Sequence, residues 1–285
     1  MSSWSSKSFG SNIKYGFFRL LIKSRLSWLA RWLLIPIPLY YSLRPSTAAR
    51  ARPYIARRFP GSAALESRFH TFRLYYKLAN VLFDRLVLAS GQRIPIVHDQ
   101  SAYALFKEAL NKGKGCIVVG AHFGCWQTGL AGLADLGVPL GVVFWQEEVL
   151  DQKFFAYEKD LTVIAADGGL ESAIAMRSIL RKNGIVCIMG DRVTPADRDT
   201  VKVSFLGADI ELPLFPYKLA KITGSAVIHA VSVRKKGAIC GLPAVLNAAA
   251  KPAAAYAEFL EELVLKYPHE FFNFYDMWLN DNDKS

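Results

Sequence analysis

Two short apolar runs of the sequence each lead into residues that could do chemistry. Cys116–Gly120 leads within two residues to His122, and Ile185–Met189 leads to Asp191 and Arg192. Both runs are typical of buried strands, and ligands of open α/β sheets bind at the carboxyl ends of such strands. A neutral imidazole can accept a proton, and a carboxylate can orient the imidazole ring. A guanidinium can bind a phosphate through two parallel hydrogen bonds. The sequence therefore predicts a polar site at one edge of a sheet.

The stretch after His122 predicts a helix. Gly124–Leu136 has a helical composition and ends at Gly137, so His122 is expected just before a helix N-terminus. The positive end of the helix dipole disfavours an imidazolium ion, so a neutral ring that can accept a proton is expected there. The free backbone N–H groups of a first turn could also bind an oxyanion. Such a histidine can equally be a hydrogen-bonded loop residue, and position alone does not decide.

The block Gly120–Trp126, which reads GAHFGCW, resembles the signature of the lysophospholipid acyltransferase superfamily. It is similar in particular to the late acyltransferases of lipid A biosynthesis, the lauroyl- and myristoyl-transferring type. The resemblance covers nearly the whole chain. Its other segments are Trp4–Arg85, Gly190–Arg192, Val203–Gly207, Pro213, Leu219–Ala220, Pro268, Phe272–Tyr275 and Trp278.

In that family the signature continues as His, four residues, and then Asp or Glu. The resemblance implies that His122 is the general base for an acceptor hydroxyl that attacks an acyl thioester. It also implies an acid that holds the imidazole, but the fifth position after His122 is Gln127. Three interpretations stay open: His122 works with Gln127, Asp191 replaces the missing acid, or catalysis is lost while lipid binding persists. Because a glutamine oxygen accepts a hydrogen bond without negative charge, Gln127→Glu is predicted to raise activity.

Four further residues are candidates for substrate contacts. Asp191 and Arg192 are predicted to touch the donor or the acceptor, with Arg192 on a phosphate; the alternative is an ion pair that closes a loop. Phe205 and Gly207 belong to apolar stretches that could line a dry slot for an acyl chain or simply pack in the core. Cys125 could be a nucleophile beside His122, but a buried thiol is favoured. The resemblance implies no metal and no bound cofactor.

The elements beyond Gly91 alternate between strand-like and helix-like segments, which indicates an α/β fold. We expect a mixed, mostly parallel central sheet flanked by helices, within a domain at residues 89–285. The predicted strands are Cys116–Gly120, Leu140–Trp145, Leu161–Ala165, Ile185–Met189, Val201–Leu206 and Ala226–Val233. The predicted helices are Gly124–Leu136, Leu170–Lys182, Leu214–Thr223 and Pro252–Lys266.

Residues 1–88 are predicted to form a basic, aromatic helical region that binds a membrane. They hold 15 of the 35 Lys and Arg residues but only Glu66 and Asp84 as acids. Bulky apolar residues between these charges favour an anionic lipid surface over nucleic acid, although an amphipathic helix can also pack on its own domain. The longest uncharged run is Trp32–Leu43, too short for a span of about 20 apolar residues. A surface anchor or one tilted N-terminal span is expected, with Ser46–Leu88 helical.

The resemblance implies an acyltransferase, and together with the basic N-terminal region it leads us to expect a location at the cytoplasmic face of the bacterial inner membrane, peripheral or with a single N-terminal anchor. Four widely spaced cysteines agree with a reducing compartment. The donor is expected to be an acyl carrier protein or CoA thioester as co-substrate, and the acceptor a lipid or glycolipid. The alternative is a catalytically impaired lipid-binding homologue, because Gln127 stands where the family has an acid; a hydrolase is a third option.

Overall fold

The structure is a computed structural model and describes residues 27–144, 161–194 and 197–279. Residues 1–26 of the predicted membrane-binding region, and Trp145 at the end of a predicted strand, lie outside the described residues. The described helices are α1 (Ser27–Leu33), α2 (Pro36–Leu43), α3 (Pro45–Arg58), α4 (Ala64–Ala89), α5 (Gln100–Asn111), α6 (Leu130–Ala134), α7 (Gly169–Arg181), α8 (Phe215–Thr223) and α9 (Pro252–Lys266). The described strands are β1 (Ile96–Val97), β2 (Cys116–Gly120), β3 (Leu140–Phe144), β4 (Leu161–Ala165), β5 (Ile185–Met189), β6 (Thr200–Phe205), β7 (Ala208–Pro213), β8 (Ala226–His229), β9 (Ser232–Lys235), β10 (Ala238–Gly241) and β11 (Val245–Leu246).

The central sheet has six strands in the order β11-β8-β2-β5-β3-β4. Every neighbouring pair is parallel except β11 with β8, which is antiparallel. The predicted mixed, mostly parallel sheet is therefore confirmed. Gly120 lies opposite Met189 in the register of β2 and β5. The two strands that lead to His122 and Asp191 thus end side by side at the same edge.

Helices cover both faces of this sheet. Successive side chains of a strand point to opposite faces, so each strand contributes to a core on either side. In β2, Ile117 and Val119 join a core that also contains residues of α3, α4, α7, α8 and α9. Cys116 and Val118 face the other way, into a second core with residues of α5 and α6. Every second residue of the apolar run is thus buried on each side, which explains why the run contains no polar residue.

The N-terminal region is helical where it is described, and the segment Ser46–Leu88, predicted to be helical, forms two helices, α3 and α4. The break between α3 and α4 contains Pro60 and Gly61, and Gly61 has φ +79°. Tyr54 of α3 and Leu74 of α4 are fully buried in the core they share with the sheet. Core packing therefore runs across the predicted boundary at residue 88. None of the described helices is both long enough and apolar enough to cross a bilayer.

The helix predicted to follow His122 is wrong in its start. The helix there, α6, begins only at Leu130. Before it, Gly124 has φ +53° and its N–H donates to Glu270 O at 2.7 Å, while Cys125 N–H donates to Ser232 O at 2.7 Å. These N–H groups are bonded to other segments and do not form a helix N-terminus. The expected effect of a helix dipole on the protonation of His122 therefore has no structural basis here. Similarly, the predicted strand Ala226–Val233 divides into β8 and β9, which lie in different sheets.

Candidate active site

The structure brings His122 and Asp191 together at the edge where β2 and β5 end. Nδ1 of His122 lies 3.0 Å from Oδ1 and 3.1 Å from Oδ2 of Asp191. Among the described residues, Asp191 is the hydrogen-bond partner of the ring. A carboxylate can only accept, so Nδ1 carries the proton and donates it, which leaves the lone pair on Nε2. The pair has the geometry of a base held by an acid.

Asp191 is almost fully buried, whereas the His122 side chain keeps 15% of its surface exposed. Burial raises the pKa of the Asp191 carboxyl, but the nearby His122 and Arg192 outweigh it and hold the pKa below its ordinary value. The carboxylate is therefore ionised at neutral pH. It can stabilise a positive charge that develops on the imidazole, while the open side of the ring remains within reach of a substrate.

A C-terminal strap, Pro268–Asn273, holds the His122 loop from the other side. Phe272 N–H donates to His122 O at 2.8 Å, and Glu270 O accepts from Gly124 N–H at 2.7 Å. The strap is in turn tied to α3 and α4, because Tyr54 donates to Pro268 O and Lys77 binds the buried Glu270 carboxylate at 2.6 Å. Backbone hydrogen bonds to a distant segment thus fix the position of the histidine.

Gln127 lies in the loop that follows His122. Its Oε1 accepts from Arg85 Nη1 of α4 at 3.0 Å, and its side chain is buried. Gln127 thus links the site loop to α4, while Asp191 is the acid on His122 Nδ1. Any part of Gln127 in catalysis stays a prediction.

Arg192 connects the Asp191 loop to the strap. Its Nη2 donates to Phe272 O at 2.8 Å, its Nε lies 3.8 Å from Asp191 Oδ2, and its guanidinium stands 5.5 Å from the centre of the Tyr275 ring. These contacts agree with the alternative of an ion pair that closes a loop. Phosphate binding by Arg192 stays a prediction.

An apolar cavity of about 120 Å³ lies beside the loop that carries His122, although neither His122 nor Asp191 is among its lining residues. Ala121, Phe123 and Trp126, which flank His122 in sequence, line one part of it, and the Trp126 ring centre is 5.8 Å from that of His122. From there the cavity follows the sheet under α5 and α6. Its lining there includes Val118, Phe106, Leu133, Val142, Cys187 and Met189.

Phe205 and Gly207 are not brought to this cavity. Phe205 is fully buried, stacks on Trp278 and meets Phe271 edge to face. Gly207 follows Leu206 in the turn between β6 and β7, where both have positive φ. The structure thus places Phe205 in the core and Gly207 in a hairpin turn, so no contact among the described residues supports their predicted role in substrate binding.

The Cys125 thiol, three residues after His122, is buried. Burial raises the pKa of the Cys125 thiol to about 12, so it is not a nucleophile at neutral pH. All four cysteines are free thiols. Across the described ranges, no three His, Cys, Asp or Glu side chains gather as metal ligands.

Sequence reasoning missed the strap, Arg85 and Tyr256 as neighbours of the site. Tyr256 on α9 donates to Gly120 O at 2.7 Å, across 136 positions of sequence. No spacing or motif signals contacts that the tertiary fold alone creates. The signal that pointed to this part of the chain was the family resemblance at Pro268, Phe272–Tyr275 and Trp278.

Comparison with known proteins identifies the family of this chain. The family described as bacterial lipid A biosynthesis acyltransferase matches residues 79–280, more than two thirds of the chain. The chain belongs to this family. The matched range of the lipid A acyltransferase family begins within α4 and contains His122, Asp191 and the strap.

A curated relative adds a second acyltransferase. The phosphatidylinositol mannoside acyltransferase of Mycobacterium tuberculosis is 31% identical over 125 residues. The alignment covers 42% of this chain and 39% of that protein, so it spans about two fifths of the relative. Both comparisons are to acyltransferases of lipid synthesis, and the resemblance in the sequence to lipid A acyltransferases is confirmed.

Proposed function

We propose that the protein transfers a fatty-acyl chain from an acyl carrier protein or CoA thioester to a hydroxyl of a lipid or glycolipid. The transfer takes place at the cytoplasmic face of the bacterial inner membrane. The observation that carries the proposal is the hydrogen bond between His122 Nδ1 and the buried Asp191 carboxylate. It supports an active enzyme in spite of Gln127, because a carboxylate lies on the imidazole. The same bond argues against a non-catalytic lipid-binding protein.

The pair can perform both proton transfers of the reaction. His122 Nε2 takes the proton of the acceptor hydroxyl as its oxygen bonds to the thioester carbonyl carbon. Asp191 stabilises the imidazolium that forms. The tetrahedral intermediate then collapses, the C–S bond breaks, and the leaving thiolate receives the proton from His122. The products are an ester and a free thiol, and the histidine is restored.

The cavity is suited to the acyl chain of the donor. Its lining beside Ala121 and Trp126 is apolar, and the burial of each methylene contributes about 0.8 kcal/mol. A chain seated there would lie beside the loop that carries His122. This arrangement leaves the acceptor to approach from solvent or from the lipid surface.

Exposed apolar side chains on the first helices support binding to a membrane surface. Trp32 of α1 is 67% exposed, and Tyr40 and Leu43 of α2 are 57% and 60% exposed. The exposed Arg50 and Arg52 follow on α3. Aromatic residues suit the headgroup boundary, and arginines suit anionic lipid.

The class of acceptor is supported by the two comparisons. Lipid A biosynthesis and phosphatidylinositol mannoside acylation, named for the family and for the relative, both concern glycolipids. A sugar hydroxyl on a lipid anchor is the chemistry they share. We therefore favour a glycolipid acceptor.

The test is an acyl-transfer assay on purified full-length protein. The protein is incubated with acyl carrier protein thioester or acyl-CoA and with vesicles that contain membrane glycolipids, and products are identified by mass spectrometry. Acylated glycolipid is expected from the wild type, and at least 10³-fold less from His122→Ala with an unchanged melting temperature. Free fatty acid as the main product would instead indicate a hydrolase. Undiminished transfer by His122→Ala would remove His122 from its role.

A further inference from the structure

One backbone carbonyl connects the ends of the two strands that carry the pair. Gly120 O accepts from Gly190 N–H at 2.9 Å and from the Tyr256 hydroxyl at 2.7 Å. Gly120 lies two residues before His122, and Gly190 immediately precedes Asp191. The carbonyl therefore links the two segments whose separation sets the length of the His122–Asp191 hydrogen bond.

Tyr256 is held rigidly for this contact. It projects from α9, its side chain is almost fully buried, and burial raises the pKa of its hydroxyl well above the ordinary value, so the hydroxyl remains a donor. The His229 ring packs edge to face on the tyrosine ring, with centres 5.1 Å apart. The amide nitrogen of Asn247 fixes His229 in turn, because it donates to His229 Nε2 at 2.9 Å and to Pro252 O at 2.9 Å.

The tyrosine ring also occupies the space next to Gly190. A Cβ added at Gly190 would lie 2.4 Å from Val119 Cγ1 and 3.3 Å from Tyr256 Cζ. Real Cβ atoms do not approach neighbours at 2.4 Å, so residue 190 is packed between β2 and the ring. Tyr256 thus touches the β5 end by its ring and the β2 end by its hydroxyl.

We propose that Tyr256 is a positioning residue of the acyl-transfer site. Its hydroxyl holds the ends of β2 and β5 in register, so that Asp191 stays bonded to His122 while the ring gains and loses a proton. Tyr256 does not touch the reacting atoms and acts through His122 and Asp191. The proposal rests on the proposed function, since its readout is acyl transfer.

The test compares Tyr256→Phe with Tyr75→Phe. Tyr75 is a buried tyrosine whose hydroxyl donates to Thr47 O at 2.9 Å, so its variant loses the same kind of bond in the N-terminal helices. Both variants keep their rings, and Gly120 O keeps its bond from Gly190. Similar, small losses of melting temperature are expected, because each variant loses one hydrogen bond.

Their kinetics are expected to differ. Tyr256→Phe should lower kcat by about 10- to 100-fold at an unchanged KM for the donor, because small misplacements of catalytic groups have effects of this size. The acid limb of its kcat–pH profile should move to lower pH, since a loosened carboxylate stabilises the imidazolium less. Tyr75→Phe should keep the kcat and the profile of the wild type.

Activities are compared per folded molecule, at a temperature below both unfolding transitions, so a loss of fold cannot imitate the effect. Equal kcat and equal pH profiles for the two variants would overturn the proposal. A change in KM alone would also overturn it, because it would assign Tyr256 to binding. Failure of the wild type to transfer acyl groups would overturn the proposed function instead, and the two results cannot be confused.

Discussion

Two buried aspartates of this protein have the same burial and different partners. Asp84 of α4 is fully buried between Arg31, at 2.6 Å, and Arg234. Asp191 is 1% exposed and lies between His122, at 3.0 Å, and the more distant Arg192, at 3.8 Å. Both join segments that are far apart in sequence. Only one of them is bonded to an imidazole, a side chain that can serve as a general base.

The difference separates a structural ion cluster from a reactive pair. The guanidinium groups around Asp84 keep their charge at any physiological pH, so the cluster can only hold α1, α4 and β9 together. The imidazole beside Asp191 is a group that can accept and release a proton during acid–base catalysis. A buried aspartate thus stabilises the fold in one region, whereas in the other a similarly buried aspartate can support proton transfer.

The largest effect expected from this comparison is that of Asp191→Asn on catalysis. An amide on Nδ1 no longer stabilises the imidazolium, so kcat should fall by about 10²- to 10⁴-fold, as acid-to-amide changes do in other His–Asp pairs. The melting temperature should change little. Steady-state acyl transfer measures the first quantity and thermal unfolding the second. A kcat within a factor of two of the wild type would show that Asp191 does not serve the reaction.

The reverse pattern is expected for Asp84→Asn. The substitution leaves Arg31 and Arg234 without the carboxylate between them, and breaking a buried ion cluster in this way costs about 3–5 kcal/mol of unfolding free energy. Molecules that remain folded should retain wild-type kcat. Urea denaturation and acyl transfer per folded molecule provide the measurements. A variant as stable as the wild type but inactive would erase the distinction between the two aspartates.

Acidification is expected to have a smaller effect, a loss of unfolding free energy through the buried His229. Burial lowers the pKa of His229, which packs on Tyr256, to about 4. Its folded pKa lies below the unfolded value of about 6.5, so its contribution is complete above pH 6.5 and is lost as the pH falls towards 4. Between pH 7 and 5 this histidine should account for about 2 kcal/mol of lost unfolding free energy.

The control for the acid effect is His229→Phe. This variant lacks the titrating ring, so its unfolding free energy should fall less between pH 7 and 5 than that of the wild type. Asp84→Asn should retain the full fall. Identical pH slopes for the wild type and His229→Phe would contradict the assignment.

The smallest effect is expected for Gln127→Glu. The sequence alone predicts a gain in activity. With Asp191 on His122 Nδ1 and Gln127 Oε1 accepting from Arg85, we expect a much smaller change. Activity should stay within about twofold of the wild type, since an exchange at a site without transition-state contact changes little. A tenfold rise would mean that residue 127 reaches the imidazole during turnover.

The strands could be predicted from sequence because their signal is local. Cys116–Gly120 and Ile185–Met189 are apolar runs bounded by glycine, and both form strands at the predicted residues. That both would end at one edge followed from the rule for parallel sheets. The predicted position of Asp191 near His122 was therefore available before any coordinates.

The identity of the acid could not be chosen in the same way. Asp191 and Gln127 are both near His122 in principle, and their side-chain directions depend on turns that sequence patterns do not fix. The helix expected from Gly124 fails because its N–H groups bond to Glu270 and Ser232, more than 100 residues away. Hydrogen bonds to these distant segments therefore determine the backbone conformation there, rather than local helix propensity.

The strap has a consequence for biosynthesis. The loop that carries His122 obtains two of its hydrogen bonds from Glu270 and Phe272. A ribosome makes Glu270 and Phe272 after His122 and after every described strand of the central sheet. The histidine loop of a newborn polypeptide therefore lacks these two hydrogen bonds until both residues have been made, and a nascent chain halted before residue 270 is expected to be inert towards thioesters.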